Sequence, residues 1–201
     1  MSIPHTKERI LDAAEEIMWR RSFNSVGLNE ILKAVDVPKG SFYHYFKSKE
    51  DFGVELLRHY FKKSTDERLN ALLSKEIEPD PVARLLGLYK SGVAKFDEYG
   101  GKCPCLVLKL AAEVVDQSEP MREVLVEGLS VWFSIHIHVL DEAKEMGLIK
   151  PETNTTIEAE FIRDLWAGAV QRATITRSSK PMHQAYAFIV ERVASLRTET
   201  K

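Results

Sequence analysis

A chain of 201 residues, 44% hydrophobic and 29% charged, is long enough to bury one small and one larger core, which excludes a scaffold that needs staples to fold. The formal net charge of −2 does not by itself announce a nucleic-acid binder, but residues 1–63 hold eleven Lys and Arg against nine Asp and Glu, whereas the remainder holds 17 against 21. Cys103 and Cys105 are separated by Pro104 alone, so they cannot join distant segments, and a reducing compartment fits. No apolar run follows a basic start and the apolar segments are broken by charge, so the expectation is a soluble, cytoplasmic protein with no membrane partner.

In chain order, Thr6 is predicted to cap a first helix whose stripe is Ile10, Leu11, Ala14, Ile17 and Met18, running to Trp19. Leu28, Ile31, Leu32 and Val35 repeat at helical spacing, Asp36-Val37-Pro38 interrupts them, and Pro38 is predicted to open the next helix, where its missing N–H costs nothing. That next helix carries more rings than it can bury: Phe42, Tyr43, Tyr45 and Phe46, interleaved with Lys39, His44, Lys47 and Lys49. A pair of core helices with a solvated lysine face is the bland alternative. Outward rings and cations on one turn-preceded helix instead suit phosphate and base edges. The expected contacts to double-stranded DNA are Asn29, Lys39, Gly40, Ser41, Tyr43 and His44, with Lys49 on phosphate; Gly40 and Ser41 leave room for a backbone to approach. His5 and Arg9 reach either phosphate or solvent.

Ser48 and Asp51 read as a capping box for a long helix carrying Phe52, Leu56, Leu57, Tyr60 and Phe61, then Leu69, Leu72 and Leu73. Prolines then divide the chain into helices predicted at 82–99, 105–115, 121–146, 155–177 and 182–197. Nothing reads as a strand. The expectation is an all-α chain with a helix-turn-helix domain at 1–47 and a helical body for effector sensing and dimerisation at 48–201.

Asn29-Glu30-Ile31-Leu32-Lys33-Ala34-Val35, followed by residues 37–50, resembles the DNA-binding end of the TetR family of transcriptional regulators, from about Thr6 to Phe61. Residues 105–114, Leu165-Trp166 and Arg177-Ser178 are similar to the electrophile-responsive branch of that family, which controls N-ethylmaleimide reductase. The resemblance implies a homodimeric repressor released by a small molecule or by modification of a cysteine. It also implies that Cys105 is the sensing cysteine, with Cys103 as an extra thiol. The lysine that partners the cysteine in those proteins corresponds to Thr174 here.

From the residues themselves, Cys105 follows Pro104 at a predicted helix start between Lys102 and Lys109, an arrangement that favours a thiolate; a small packed hydrophobe fits the same position. Candidate linings of an effector pocket are Cys105, Cys103 and Lys109 with Tyr89, Phe96, Trp132, His136 and Trp166. Zinc is not expected, since His136 and His138 point about 200° apart on a helix. Met182, Tyr186, Ile189, Val193 and Leu196 form a seam, as do Ile157, Phe161, Leu165 and Ala169. Phe161, Leu165, Ala169, Tyr186, Ile189 and Val193 are the expected dimer contacts, because a helix-turn-helix usually reads two half-sites. Glu15-Glu16 and Glu50-Asp51 read as solvated faces or caps. The rival class, a thiol-dependent oxidoreductase, has no Cys-x-x-Cys, no Gly-rich phosphate loop and no triad signature, so neither cofactor nor catalytic residues are expected.

Overall fold

A computed structural model describes residues 3–102 and 105–198, with side chains from Thr6 onward. Cys103 and the His5 side chain lie outside the described residues. The helices are α1 (Ile3–Met18), α2 (Leu28–Ala34), α3 (Lys39–Tyr45), α4 (Lys49–Leu73), α5 (Pro81–Glu98), α6 (Leu106–Val114), α7 (Glu119–Glu145), α8 (Thr155–Thr176) and α9 (Lys180–Leu196). Among the described residues extended pairing is limited to one isolated bridge, Ile149 with Arg197.

The boundaries follow from local chemistry. Asp80 caps α5 by accepting the Val82 N–H at 2.8 Å, with Pro81 in the first turn, and Asn154 caps α8 by accepting the Ile157 N–H at 3.2 Å. Ser48 Oγ accepts the Asp51 N–H at 3.0 Å, while the Asp51 carboxylate accepts the N–H of Lys47 at 2.8 Å, one residue earlier than in a standard capping box. The start of α1 differs from expectation by several residues. α1 begins at Ile3, so Thr6 lies inside the helix and not at its cap.

The chain divides into two compact units, the first comprising Met1–Lys63 and Cys105–Gly128, the second Ser64–Pro104 and Leu129–Lys201. α4 and α7 therefore contribute residues to both. In the first unit the rings of Phe42, Phe46 and Phe52 are all buried and lie 4.9–5.6 Å apart, the anchor that turns the rest of α3 outward. Between α2 and α3 the chain reverses on Asp36, at φ 52°, with Val37 N–H donating to Leu32 O at 2.9 Å. This left-handed C-terminal cap is usually made by glycine and is tolerated by aspartate.

Leu72, Val82, Leu85, Tyr89, Val139, Leu140 and Ile162 lie in the core of the second unit, and Ile189, Val193 and Leu196 of α9 lie in it too. The α9 seam thus corrects the dimer expectation for Ile189 and Val193, because an apolar stripe on a helix serves an internal neighbour as readily as a partner. Ala169 of α8 is likewise buried. Glu15 is a second correction: it is buried on α1 rather than solvated, and burial pushes its carboxyl up against the opposing pull of Lys63.

α7, at 27 residues, is long and apolar enough to cross a membrane by length and composition alone, contrary to the expectation that charge breaks every such segment. Its apolarity has a local use in each unit: Met121, Val124 and Leu125 are buried in the first, and Trp132, Val139, Leu140 and Ala143 in the second.

Candidate nucleic-acid interface and sensing sites

The outer face of α3 is set by what its inner face anchors. With Phe42 and Phe46 buried, helical geometry leaves Lys39, Gly40, Tyr43 and His44 exposed, Tyr43 to 58%, and Ser41 half-buried; Asn29 on α2 is exposed as well. Tyr43 stands edge-on to Phe42 at 5.4 Å, which holds its ring without covering it. A Cβ at Gly40 would meet nothing within 4 Å, so the fold does not itself require glycine there.

Lys49, expected on phosphate, and Arg9, expected on phosphate or in solvent, are both engaged elsewhere. The Lys49 ammonium donates to the carbonyls of Asn24 at 3.2 Å and Val26 at 3.1 Å and lies 5.3 Å from the Phe23 ring centre, so it pins the loop before α2. Arg9 donates to Val35 O at 2.8 Å, tying α1 to the end of α2. Both cations satisfy carbonyls that the turns leave open. α1 is further bound to α4 by Lys7 with Glu55, by His59 with Asp12 at 2.8 Å, and by Lys63 with Glu15 at 3.7 Å. Asp12, Glu15 and His59 bring ligand-type atoms within 4.8 Å of one another, and the Lys63 ammonium supplies the countercharge there.

Cys105 is a half-buried thiol at the N-cap of α6, and Lys109, one turn on, donates its N–H to Cys105 O at 3.3 Å. The next N–H, that of Leu106, donates to the Tyr60 hydroxyl of α4 at 3.2 Å. At the far end of this segment, Glu113 and Gln117 accept from Asn24 at 3.5 and 3.1 Å, and Ser118 donates to Glu50 at 2.7 Å. α6 thus runs from Cys105 to the loop that precedes the helix-turn-helix. A cleft of about 180 Å³ lies where they meet, lined by Phe23, Asn24, Lys49, Glu50, Gln117 and Met121 among others.

Tyr89, Trp132, His136 and Trp166 come together in the second unit. The Tyr89 ring lies 6.0 Å from that of His136 and 5.0 Å from that of Trp166, and His136 Nδ1 is 2.8 Å from the carbonyl oxygen of Trp132, one turn earlier. Burial, then Arg163 and Arg68, hold the imidazole down at about 3, while burial pushes the Tyr89 phenol up to about 12. Phe96 is buried in α5, and His138, two residues after His136, is exposed on the opposite side of α7. Sequence reasoning missed Arg68 and Arg163, whose guanidinium groups lie 4.0 and 5.4 Å from the Trp132 ring centre. An arginine on an amphipathic helix carries no mark that distinguishes a buried partner from solvent.

The large exposed apolar residues of α8 and α9 are Ile157, Phe161, Ile175 and Phe188, with Leu165 and Tyr186 half-buried. Gly168 is exposed on the same face as Phe161, and a Cβ there would meet nothing within 4 Å.

Residues 10–56 match a family profile described as bacterial regulatory proteins, tetR family, and residues 81–189 match one described as tetracyclin repressor-like, C-terminal domain. The chain is 36% identical over 191 residues to the HTH-type transcriptional repressor NemR of Escherichia coli K12, covering 94% of each. It is 31% identical over 179 residues to the transcriptional regulator AcuR of Cereibacter sphaeroides, covering 88% of this chain and 80% of that one. The crystal structure of the reduced form of E. coli NemR is similar with a TM-score of 0.86 at 34% identity, over 93% of this chain and 96% of that one.

Proposed function

This chain belongs to the TetR family of DNA-binding transcriptional regulators, and from that premise we propose that it is a cytoplasmic, homodimeric repressor released from its operator by a small molecule or by modification of Cys105. Residues 1–47 are the reading head and 48–201 the sensing and dimerisation body. The observation that carries the reading is the division of α3, with Phe42 and Phe46 anchored and Lys39, Tyr43 and His44 outward. Asn29, Gly40 and Ser41 complete the groove face. Lys49 serves indirectly, by holding the loop that positions α2.

The second copy docks on α8 and α9 through Ile157, Phe161, Ile175 and Phe188, with Leu165 and Tyr186 at the edge. Gly168 on this face supports close approach, because, its own stretch of helix aside, no atom of the described residues lies within 4 Å of where its Cβ would stand.

The thiol arm of the reading is supported by the hydrogen-bonded path through α6. An adduct on half-buried Cys105 adds volume beside the Leu106–Tyr60 bond, and a close-packed joint answers by shifting helices rather than by compressing. The far end of α6 carries that shift to Asn24. Dimers whose recognition helices no longer match successive major grooves, about 34–36 Å apart, lose the operator.

Selecting bound fragments from random duplex DNA, with and without N-ethylmaleimide, tests this reading. A common two-half-site sequence is expected, released by the reagent from the wild type and retained by Cys105→Ser. Release of Cys105→Ser as readily as the wild type sinks the thiol arm, and recovery of no common sequence sinks the whole reading.

A further inference from the structure

Arg68 Nε, the Tyr89 hydroxyl and His136 Nε2 are buried in the second unit without a hydrogen-bond partner among the described residues. Buried polar groups in folded proteins are almost always satisfied, so three in one neighbourhood call for an explanation. They belong to a connected group, with Arg68 stacked on Trp132, Trp132 one turn before His136, and Tyr89 packed on both His136 and Trp166.

The kinds of hydrogen bond on offer differ. His136 Nδ1 faces a carbonyl oxygen at 2.8 Å, so Nδ1 carries the proton and Nε2 accepts only. Arg68 Nε–H only donates, and Arg68 pairs with no carboxylate among the described residues. The Tyr89 hydroxyl does either. A water satisfies a lone orphan, but a guanidinium without a countercharge favours an anion, and an acceptor-only imidazole requires a donor from the same ligand. The rings of Tyr89, Trp132 and Trp166 in the same group suit an organic molecule more than a bare oxyanion.

We propose that Arg68, Tyr89 and His136 form the subsite for a small hydroxycarboxylate, whose carboxylate takes the Arg68 and Tyr89 donors while its hydroxyl donates to His136 Nε2. The proposal rests on the reading of this body as the effector-sensing part. It names the effector class for reversible release, separate from the thiol arm. Arg163, which shares the Trp132 ring, adds positive potential to the site.

Calorimetric titration of the full-length protein with lactate and mandelate is the test. Propionate, methyl lactate and inorganic phosphate are the comparison ligands, lacking respectively the hydroxyl, the charge and the carbon frame. The hydroxy acids are expected to bind at least about tenfold tighter than propionate or methyl lactate, since a site built to bond a hydroxyl rejects analogues without it. His136→Phe should bring lactate to the level of propionate. Tyr89→Phe should weaken both acids with its melting temperature unchanged or raised, because it deletes an unpaired hydroxyl. Absence of binding by every probe, equal binding of lactate and propionate, or binding of phosphate alone overturns the proposal. So does a Tyr89→Phe variant that melts earlier yet binds as before. DNA-fragment binding measured without acids reports separately on the regulator reading. Hydroxy acids that bind while leaving the DNA complex intact uphold the subsite and overturn its effector role.

Discussion

Arg84 Nη2 lies 2.6 Å from Glu142 Oε2, joining α5 to α7 inside the second unit. The same guanidinium donates to Leu72 O at 2.6 Å, Glu78 O at 2.8 Å and Pro79 O at 3.1 Å, so one side chain closes the whole connection between α4 and α5. Burial opposes ionisation of Glu142, yet hydrogen bonds from Lys75 and Arg84 outweigh it and hold the carboxyl below its ordinary value. Arg84→Met removes the guanidinium and strands several acceptors, and should cost roughly 3–5 kcal/mol in urea unfolding. A loss below about 1 kcal/mol would show that the connection is held by packing instead.

His136 makes stability depend on pH. Its folded-state value, near 3, lies below the ordinary 6.5, so the unfolded chain binds the proton first. The contribution is complete above pH 6.5 and is lost as pH falls from there towards 3. Between pH 6.5 and 5 the loss should be roughly 1–2 kcal/mol for this one group. The difference between wild type and His136→Phe, followed by chemical denaturation across that range, should have this size and sign, and parallel curves would contradict it.

The helices were legible because punctuation marked them: Asp80-Pro81, Asn154 and Pro181 place three starts to within two residues. The outward face of α3 was legible because four rings cannot share one small core. What sequence could not decide was which side of α9 looks inward. Ile189 and Phe188 are neighbours, one fully buried and the other 60% exposed, and a four-three spacing of apolar residues describes an internal seam as well as an external one. Lys49 shows a related limit. Its type and place suit phosphate, but the carbonyls it meets belong to a loop some 25 residues earlier. The surroundings of Glu15, Arg68 and Arg84 are illegible in sequence for the same reason, since only tertiary packing sets them.

Two helical glycines should respond oppositely to alanine. A Cβ at Gly128 of α7 would run into the Phe61 ring of α4, whereas one at Gly87 of α5 would meet nothing within 4 Å. Gly87→Ala should therefore stabilise by about 0.5–1 kcal/mol through helix propensity. Gly128→Ala should destabilise by about 1–3 kcal/mol despite the same gain, because the ring must move. Thermal melts of both variants check the contrast, which fails if they shift in the same direction.

The surface assigned to the second copy is separable from the core of α9. Phe161→Glu and Phe188→Glu change exposed residues, and should give monomers of wild-type helicity by sedimentation and circular dichroism. Ile189→Glu and Val193→Glu place a charge in the interior and should unfold the chain rather than merely dissociate it. Dimers surviving in both exposed-face variants at micromolar concentration would move the interface to another surface.

The central claim, that the outer face of α3 reads DNA, is tested most directly by operator affinity across a salt series for the wild type, Tyr43→Ala and Lys39→Ala. Log affinity should fall with log salt at about −0.9 for each phosphate neutralised. Lys39→Ala should bind more weakly to every sequence with a shallower slope, and Tyr43→Ala should lose specific binding by roughly tenfold or more while keeping the slope. If both variants retain wild-type affinity, slope and sequence preference, α3 is not the reading element.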